Sequence, residues 1–595
     1  MRYFGLLPFV LGVGIQTASA QTEEPQSGEA AVPKGKVDRY NVTFDQSKNS
    51  PGTTRKIDHH PFNQSKIYPG TTRDYWVYVP QQYDPAKPAC LFVCQDTIQW
   101  NAPEVMDQLI EEKAMPVTVG IWIGPGQLKA SLPRPVGRSN RSREYTWMSD
   151  EYARFLLEEF LPYVAKEHNL NISNDPNDRC IAGTSNGGIA AFTAAWERPE
   201  SFHRVITMIA SYVGMAGGNG YPVLIRKTEP KPLRVFLQTG WHDLNMCYGD
   251  WWWANQDMER SLTFAGYEVN HAWGDTGHQP LGGEHAMKIF PDAMRWIWKD
   301  WPQPVKTGLG NVHLQTILVP GETWHLVADG FQAVQGAAAN LKGEVFFNDT
   351  PNNKTYKIGL DGKVSVVLGN SMHAAGQAFG SDGRLYAALP DAEQIVAYDA
   401  AGQRTVIAEG VRGQDLLVRS DGSIYVTSSG PAGSEASKVW FISPKGEKKV
   451  VDTGLKSSTG VTLAPDQAWL QVADGGSHAV YNYRIESDGS LTLKQKCFHL
   501  TVPATADDSG AGGMCVDRMG YLYIATRMGI QIGGDGGRVN SIIPTPNRKV
   551  TSLCFGGENF DTLFAMCGDK IFMRKMKNKG VHSFQEFFTP APLRL

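Results

Sequence analysis

No long basic run interrupts the 595 residues, and Lys plus Arg (57) nearly balance Asp plus Glu (60), for a net charge of -3. A groove that tracks phosphates needs a concentrated positive face, as does attachment to an anionic bilayer, so neither nucleic acid nor an acidic membrane surface is expected as a partner. Beyond the N-terminus no stretch stays apolar over the roughly 20 residues of a spanning helix, and no membrane insertion is expected. There is no C-x-x-C and no His cluster at metal-ligand spacing. Eight cysteines are divided four before residue 300 and four after 490. Cys90 and Cys94 share one strand-like run, where they would stand about 13 Å apart and out of disulfide reach. Most of the eight read as buried thiols.

What is present begins with Met1-Arg2, an apolar run from Phe4 to Ile15, and Ala18-Ser19-Ala20 before Gln21. Basic, apolar and small-residue segments in that order predict a signal peptide over 1–20 and export, to the periplasm or outside the cell. The run is too short for an anchor, and no cysteine follows the cleavage site to carry lipid. A polar leader follows, taken as 21–66, in which FDQSKNSPGTTR at 44–55 recurs as FNQSKIYPGTTR at 62–73. Two short copies cannot stack a core, so this is a local duplication. At 42% hydrophobic residues, the remaining length needs at least two cores.

Residues 67–303 alternate strand-like runs with helix-like ones, the clearest helix being MSDEYARFLLEEFLPYVAKEH at 148–168. This alternation predicts an α/β domain with a mainly parallel sheet and helices on both faces. Within it stands Gly183-Thr-Ser185-Asn-Gly187, between the apolar run Cys180-Ile181-Ala182 and the helix-forming run Ile189 to Trp196. In G-x-S-x-G the chain turns too sharply for flanking side chains, and the serine oxygen is held exposed at the strand's carboxyl end. A nucleophile needs a base and an orienting acid, which in the α/β-hydrolase arrangement follow in the order Ser, Asp or Glu, His. Asp243 in WHDLN and His278 in GDTGHQPLGGEH stand in that order. His242, His285, Asp250, Asp257 and Asp275 lie nearby as competing candidates.

The segments NRSREY…SDEYARFLLEEFLPYV, IAGTSNGGIAAFTAAW, YPVLIRKTEPKPLRVFLQTGWHDLN and HAMKIFPDAMRWIW together resemble the esterase family of α/β-hydrolases that includes enterochelin esterases, esterase D, mycolyltransferases and feruloyl or acetylxylan esterases. The resemblance implies a catalytic triad of Ser185, Asp243 and His278. It also implies an oxyanion hole from the backbone N–H of Asn186 and, after LFVCQD, that of Ile98. The family's glycine in that second turn is Thr97 here, which puts the turn's geometry in question. Glu144, Tyr145 and Trp241 are candidate substrate-binding residues, as is the DWWW run at 250–253, since aromatics stack on sugar rings and aryl acids but equally fill cores.

From 304 to 595 a short motif recurs: GEVFFND at 343, GRLYAAL at 383, GSIYVTS at 422, DQAWLQVAD at 466, GYLYIAT at 520 and FDTLFAMC at 560, spaced by about 40 to 53 residues. Six turn-plus-strand units predict a six-bladed β-propeller. The repeat resembles gluconolactonase and regucalcin-like propellers, a likeness that implies a divalent cation held by Glu, Asn and Asp in the channel. Counting back from the turns places Gln335, Thr459 and Gly512 at those positions, with Gln414 at a fourth polar one. A hard cation prefers anionic oxygens, which these residues lack, so a propeller without metal or cofactor is expected.

The combined expectation is an exported serine carboxylester hydrolase acting on feruloyl or acetyl esters of a polysaccharide or oligosaccharide, with a non-catalytic propeller that binds or shapes the cleft. Two alternatives are a metal-dependent sugar lactonase using the propeller and a non-enzymatic glycan-binding protein. No feature bears on oligomeric state.

Overall fold

The computed structural model describes residues 56–129, 137–279, 282–429, 437–534 and 536–591. The expected signal peptide, most of the leader and the first copy of the duplication lie outside the described residues.

The first half contains strands β1 (Lys56–Phe62), β2 (Thr71–Val79), β3 (Cys90–Gln95), β4 (Thr118–Ile123), β5 (Gln127–Leu128), β6 (Arg138–Ser139), β7 (Arg179–Thr184), β8 (Arg204–Met208), β9 (Arg234–His242), β10 (Asn245–Met246), β11 (Gly249–Asp250) and β12 (Glu268–Gly277). Its helices are α1 (Ala102–Glu111), α2 (Arg141–Tyr145), α3 (Glu151–Arg154), α4 (Leu161–Glu167), α5 (Asn186–Glu197), α6 (Tyr221–Lys227), α7 (Trp251–Ala265) and α8 (Gly283–Ile297). The helix expected at 148–168 is a helical run in which a π-turn, Phe155–Phe160, joins α3 to α4. Six strands pair in parallel in the order β12-β9-β8-β7-β3-β4, and β2 then β1 continue the sheet antiparallel. This is an α/β fold with a mixed, mainly parallel sheet.

Alternation along the strands explains the two covering layers. Leu91 and Val93 enter one core with Ile181, Val205 and Val235 under the 151–167 helical run, α5, α6 and α7. Cys90, Phe92 and Cys94 enter the other with Cys180, Ile206 and Phe236 against α1 and α8. Among the described residues the cysteines form no disulfide, and burial pushes the Cys180 thiol well above its ordinary range.

Two expectations need correction. Part of the segment taken as leader is structured, since β1 pairs with β2 from Phe62↔Arg73 to Lys56↔Val79. Phe62 anchors it edge-on against Phe155, Phe160 and Tyr163, and Glu159 accepts from Lys66 N, Ile67 N and the Ser65 hydroxyl. The change of domain falls later than 303, because Gly310 still donates to Ala265 O and Val305 to Asn177. Helix α9 (Val312–Ile317) then buries Leu314 and Ile317 in a propeller core.

The second half is a propeller of six four-stranded sheets. Every recurrent motif in the sequence supplies the second strand of one sheet: Val345–Asp349, Leu385–Leu389, Ile424–Ser428, Trp469–Asp474, Leu522–Thr526 and Thr562–Cys567. The ring closes where His325–Asp329, first in the chain, pairs with Lys570–Lys575, last in the chain. First strands of successive sheets touch round the ring so closely that a Cβ on Gly460 would lie 2.0 Å from Gly512 O. Hydroxyls stitch these strands together: Thr459 donates to Ala511 O (2.6 Å) and Thr551 to Val334 O (3.0 Å). The two halves also meet, with Arg574 forked onto Glu229 (2.8 and 2.7 Å) and Glu229 N donating to Ile542 O.

Asp415 lies on this inner ring, accepting from Leu416 N and Val461 N, and burial pushes its carboxyl up to about 7. The folded state therefore holds a proton that the unfolded chain, with the ordinary value of 3.8, releases. Its contribution is most favourable below pH 4 and declines as pH rises to 7, by on the order of 2–4 kcal/mol. Asp415→Asn cannot ionise, so its melting temperature relative to the parent should climb between pH 4 and pH 8. A pH-independent difference in calorimetry would refute the assignment.

Candidate active site

Every element of the site ends at the carboxyl edge of the parallel sheet, the edge at which ligands bind in open α/β sheets. Ser185 follows β7 in a strained backbone conformation, φ 56° and ψ -120°, and α5 begins at the next residue. The glycines around it are required by close approach: a Cβ on Gly183 would lie 2.2 Å from Gly187 O, and one on Gly188 2.7 Å from Ala210 Cβ. A Cβ on Gly187 would stand 3.0 Å from Asp96 Oδ2.

The fold brings Ser185, His278 and Asp243 into one chain of hydrogen bonds. His278 Nε2 lies 3.0 Å from Ser185 Oγ, and its Nδ1 lies 2.6 Å from Asp243 Oδ1. Asp243, with a fully buried side chain, also accepts from Thr239 Oγ1 (2.6 Å) and from Leu244 N (2.8 Å). Both of its oxygens are thus held by partners other than His278, which fixes the carboxylate for one imidazole orientation. His278 follows β12, a half-exposed edge strand beside β9.

Four of the five competing residues have other partners. His242 pairs with Asp275 (3.1 Å) in solvent, Asp250 caps α7 by accepting from Trp253 N, and His285 Nδ1 meets Gln238 Nε2 at 3.0 Å. Burial lowers the His285 pKa, disfavouring its charged form. Ser211, which nothing in the sequence singled out, sits 3.4 Å from Ser185 Oγ and accepts from Trp251 Nε1 (3.2 Å). The Trp251 ring stands edge-on to His278, at 5.9 Å between centroids. The loop carrying Ser211 turns through Ile209 at φ 41°, strained for a β-branched residue, and sequence offers no sign of that.

The substrate-binding expectations divide. Trp241 is half exposed on the end of β9, edge-on to Trp252 at 5.5 Å. Glu144 and Tyr145 do not line a cleft. Glu144 is buried in an ion pair with Arg73 (2.8 Å) and accepts from Asn140 Nδ2 and Gly126 N, because a carboxylate removed from water must be paired. Tyr145 is fully buried, with its hydroxyl donating to Ile123 O (3.3 Å). Of the DWWW run, Trp251 and Trp252 are buried and Trp253 is exposed.

Asn186 opens α5 directly after the serine and Ile98 packs against the α1–α8 core. In the turn between them and β3, the left-handed residue is Asp96 (φ 71°) and not Thr97, so a glycine at 97 is not required. Asp96 N is already committed to Ile123 O (2.8 Å).

At one end of the propeller channel, Gln335, Gln414, Thr459 and Gly512 line a common cavity of about 240 Å³. Two amides, one hydroxyl already donated to Ala511 O, and a glycine do not suit a hard divalent cation. Asp415 also lines the cavity, a carboxylate that counting from the turns missed, but both its oxygens accept backbone N–H groups. Among the described residues, no three His, Cys, Asp or Glu side chains converge as metal ligands. The far end is lined by the C-terminal stretch Val581–Phe584, with His582 between the Phe560 and Phe584 rings.

Comparison with known proteins bears on both halves. Residues 68–287 match the family model described as "Putative esterase", and residues 342–567 match the SMP-30/gluconolactonase/LRE-like region. A gluconolactonase of Zymomonas mobilis is 26% identical over 309 residues, spanning 45% of this chain and 85% of its own. A solved gluconolactonase of Xanthomonas campestris is 22% identical, covering 45% of this chain and 94% of that one, at a TM-score of 0.41. A solved ferulic acid esterase is 17% identical and covers 41% of this chain and 98% of that one, at a TM-score of 0.33. The chain thus carries an esterase-family domain followed by a gluconolactonase-like six-bladed propeller.

Gly183→Ala tests the turn on which the site depends. Its methyl group would enter the space of Gly187 O, with an expected cost of about 1–3 kcal/mol in unfolding and loss of any activity that uses Ser185. Unchanged melting and activity would mean that the backbone turns otherwise.

Proposed function

We propose that the chain is a serine carboxylester hydrolase of the α/β-hydrolase type working through an acyl-enzyme. The observation that carries this is the unbroken Ser185–His278–Asp243 hydrogen-bond chain at a strained strand-to-helix turn. His278 Nε2 takes the hydroxyl proton as Ser185 Oγ bonds to the ester carbonyl carbon. Asp243 holds the imidazole in the tautomer that presents Nε2 and stabilises its charge. The oxygen of the tetrahedral intermediate is met by the backbone N–H groups of Asn186 and Ile98. Collapse breaks the bond to the alcohol oxygen, which leaves with the proton from His278. Water, deprotonated by the same imidazole, then releases the acid and restores the serine.

The substrate class is an acyl ester, feruloyl or acetyl, of a polysaccharide or oligosaccharide. Supporting it are the exposed rings of Trp241, Tyr248 and Trp253 near the ends of β9 and β11, which offer stacking surfaces for sugar or aryl groups. Export follows from the N-terminal pattern, and the propeller serves as a binding or cleft-shaping module. A lactonase using the propeller is disfavoured by its donor set, which offers a cation no free carboxylate.

The test is hydrolysis of p-nitrophenyl acetate and methyl ferulate by the parent and by Ser185→Ala, with and without EDTA. Loss of at least roughly 10⁴-fold in the variant and indifference to EDTA are expected. Activity that survives in Ser185→Ala and falls with EDTA would overturn the reading in favour of a metal-dependent lactonase.

A further inference from the structure

Beside the elbow lies an ion pair that the hydrogen-bond chain does not use. Arg141 grips Asp96 with two nitrogens, Nε to Oδ1 (2.8 Å) and Nη2 to Oδ2 (2.9 Å), a fork that lysine cannot reproduce. Nη2 also reaches Thr184 O at 3.4 Å, the carbonyl immediately before Ser185. One guanidinium therefore joins the turn after β3 to the last residue of β7. A second tie runs parallel to it, from Thr184 Oγ1 to Gln99 Oε1, with Gln99 Nε2 donating to Gln95 O (2.7 Å).

The position of Asp96 gives the pair its consequence. Its Oδ2 abuts Gly187 in the first turn of α5, beside the N–H groups that would receive an oxyanion. A bare carboxylate there would oppose negative charge developing on the substrate, whereas in the resting protein it is welcome at a helix N-terminus. Asp96 also leads the turn, in the left-handed conformation that lets Thr97 occupy the next position.

We propose that Arg141 is a positioning residue for the ester chemistry, cancelling the Asp96 charge and holding the turn at Ile98 against the elbow at Ser185. This rests on the functional reading above. Arg141 does not touch the reacting atoms. Its effect falls on the transition state, in which the oxyanion exists, and leaves ground-state binding alone.

The experiment measures kcat and KM for p-nitrophenyl acetate in the parent, Arg141→Ala, Arg141→Lys, Asp96→Asn and the double variant Arg141→Ala/Asp96→Asn, with melting temperatures for each. Arg141→Ala should lose about 100-fold in kcat with KM within about threefold of the parent. The double variant should recover at least about tenfold over Arg141→Ala, since it removes the uncompensated charge, and millimolar guanidinium should partly restore Arg141→Ala. Arg141→Lys should fall between parent and alanine variant, and it carries the test should the alanine variant not fold. An Arg141→Ala enzyme within threefold of the parent, or a folded double variant no faster than the single, would overturn the proposal. A parent that hydrolyses no ester would instead overturn the functional reading on which it rests.

Discussion

The close approach of Gly183 to Gly187 is the contact on which the first half of the molecule depends. With those two glycines almost touching, the chain leaves β7 and enters α5 within one residue, and Ser185 must take up a positive φ. That conformation is unfavourable alone and persists because its surroundings over-determine it: Ser185 N donates to Met208 O, and Ser185 O accepts from Gly188 N and Ser211 N. The same turn places the serine hydroxyl 3.0 Å from His278 Nε2. The strain at Ser185 and its placement beside His278 are consequences of one packing constraint.

Around that point the sheet edge acts as a ruler. Asp243 and His278 come from the ends of neighbouring strands β9 and β12 on one side of Ser185, and Asp96 from the end of β3 on the other. Parallel strands about 4.8 Å apart thus hold the base and the expected oxyanion turn on opposite flanks of the serine. The propeller follows a different rule, in which first strands crowd round a ring and hydroxyl-to-carbonyl bonds join them. Of the positions at which the resemblance implies ligating groups, Thr459 serves this stitching by donating to Ala511 O, and Gln335 Nε2 donates to Thr350 Oγ1.

How much of this could be read from sequence depended on whether the signal was local. The elbow was legible because its glycines sit within five residues of the serine, and the order Ser185, Asp243, His278 is the set that folding brings into hydrogen-bonding reach. The six second strands of the propeller were legible because each opens on a turn and runs apolar, and so were third strands such as Gln394–Tyr398 and Lys438–Ile442, while outermost strands such as Val364–Leu368, largely exposed, were not. β12 escaped notice because EVNHAWGDTG lies on a sheet edge and need not be apolar. Glu144 was misplaced because its partner Arg73 is distant in sequence, and no local pattern distinguishes a buried carboxylate from an exposed one. Ser211, Arg141 and Asp415 derive their roles from tertiary neighbours alone.

The central claim is that Ser185 forms a covalent acyl intermediate. Mass spectrometry of the intact chain after a fluorophosphonate probe, followed by peptide mapping, addresses it most directly. The account predicts one adduct per chain, on the peptide containing Ser185, and none in His278→Ala over the same interval. An unlabelled parent, or an adduct on Ser211 or any other residue with Ser185 unmodified, would contradict it.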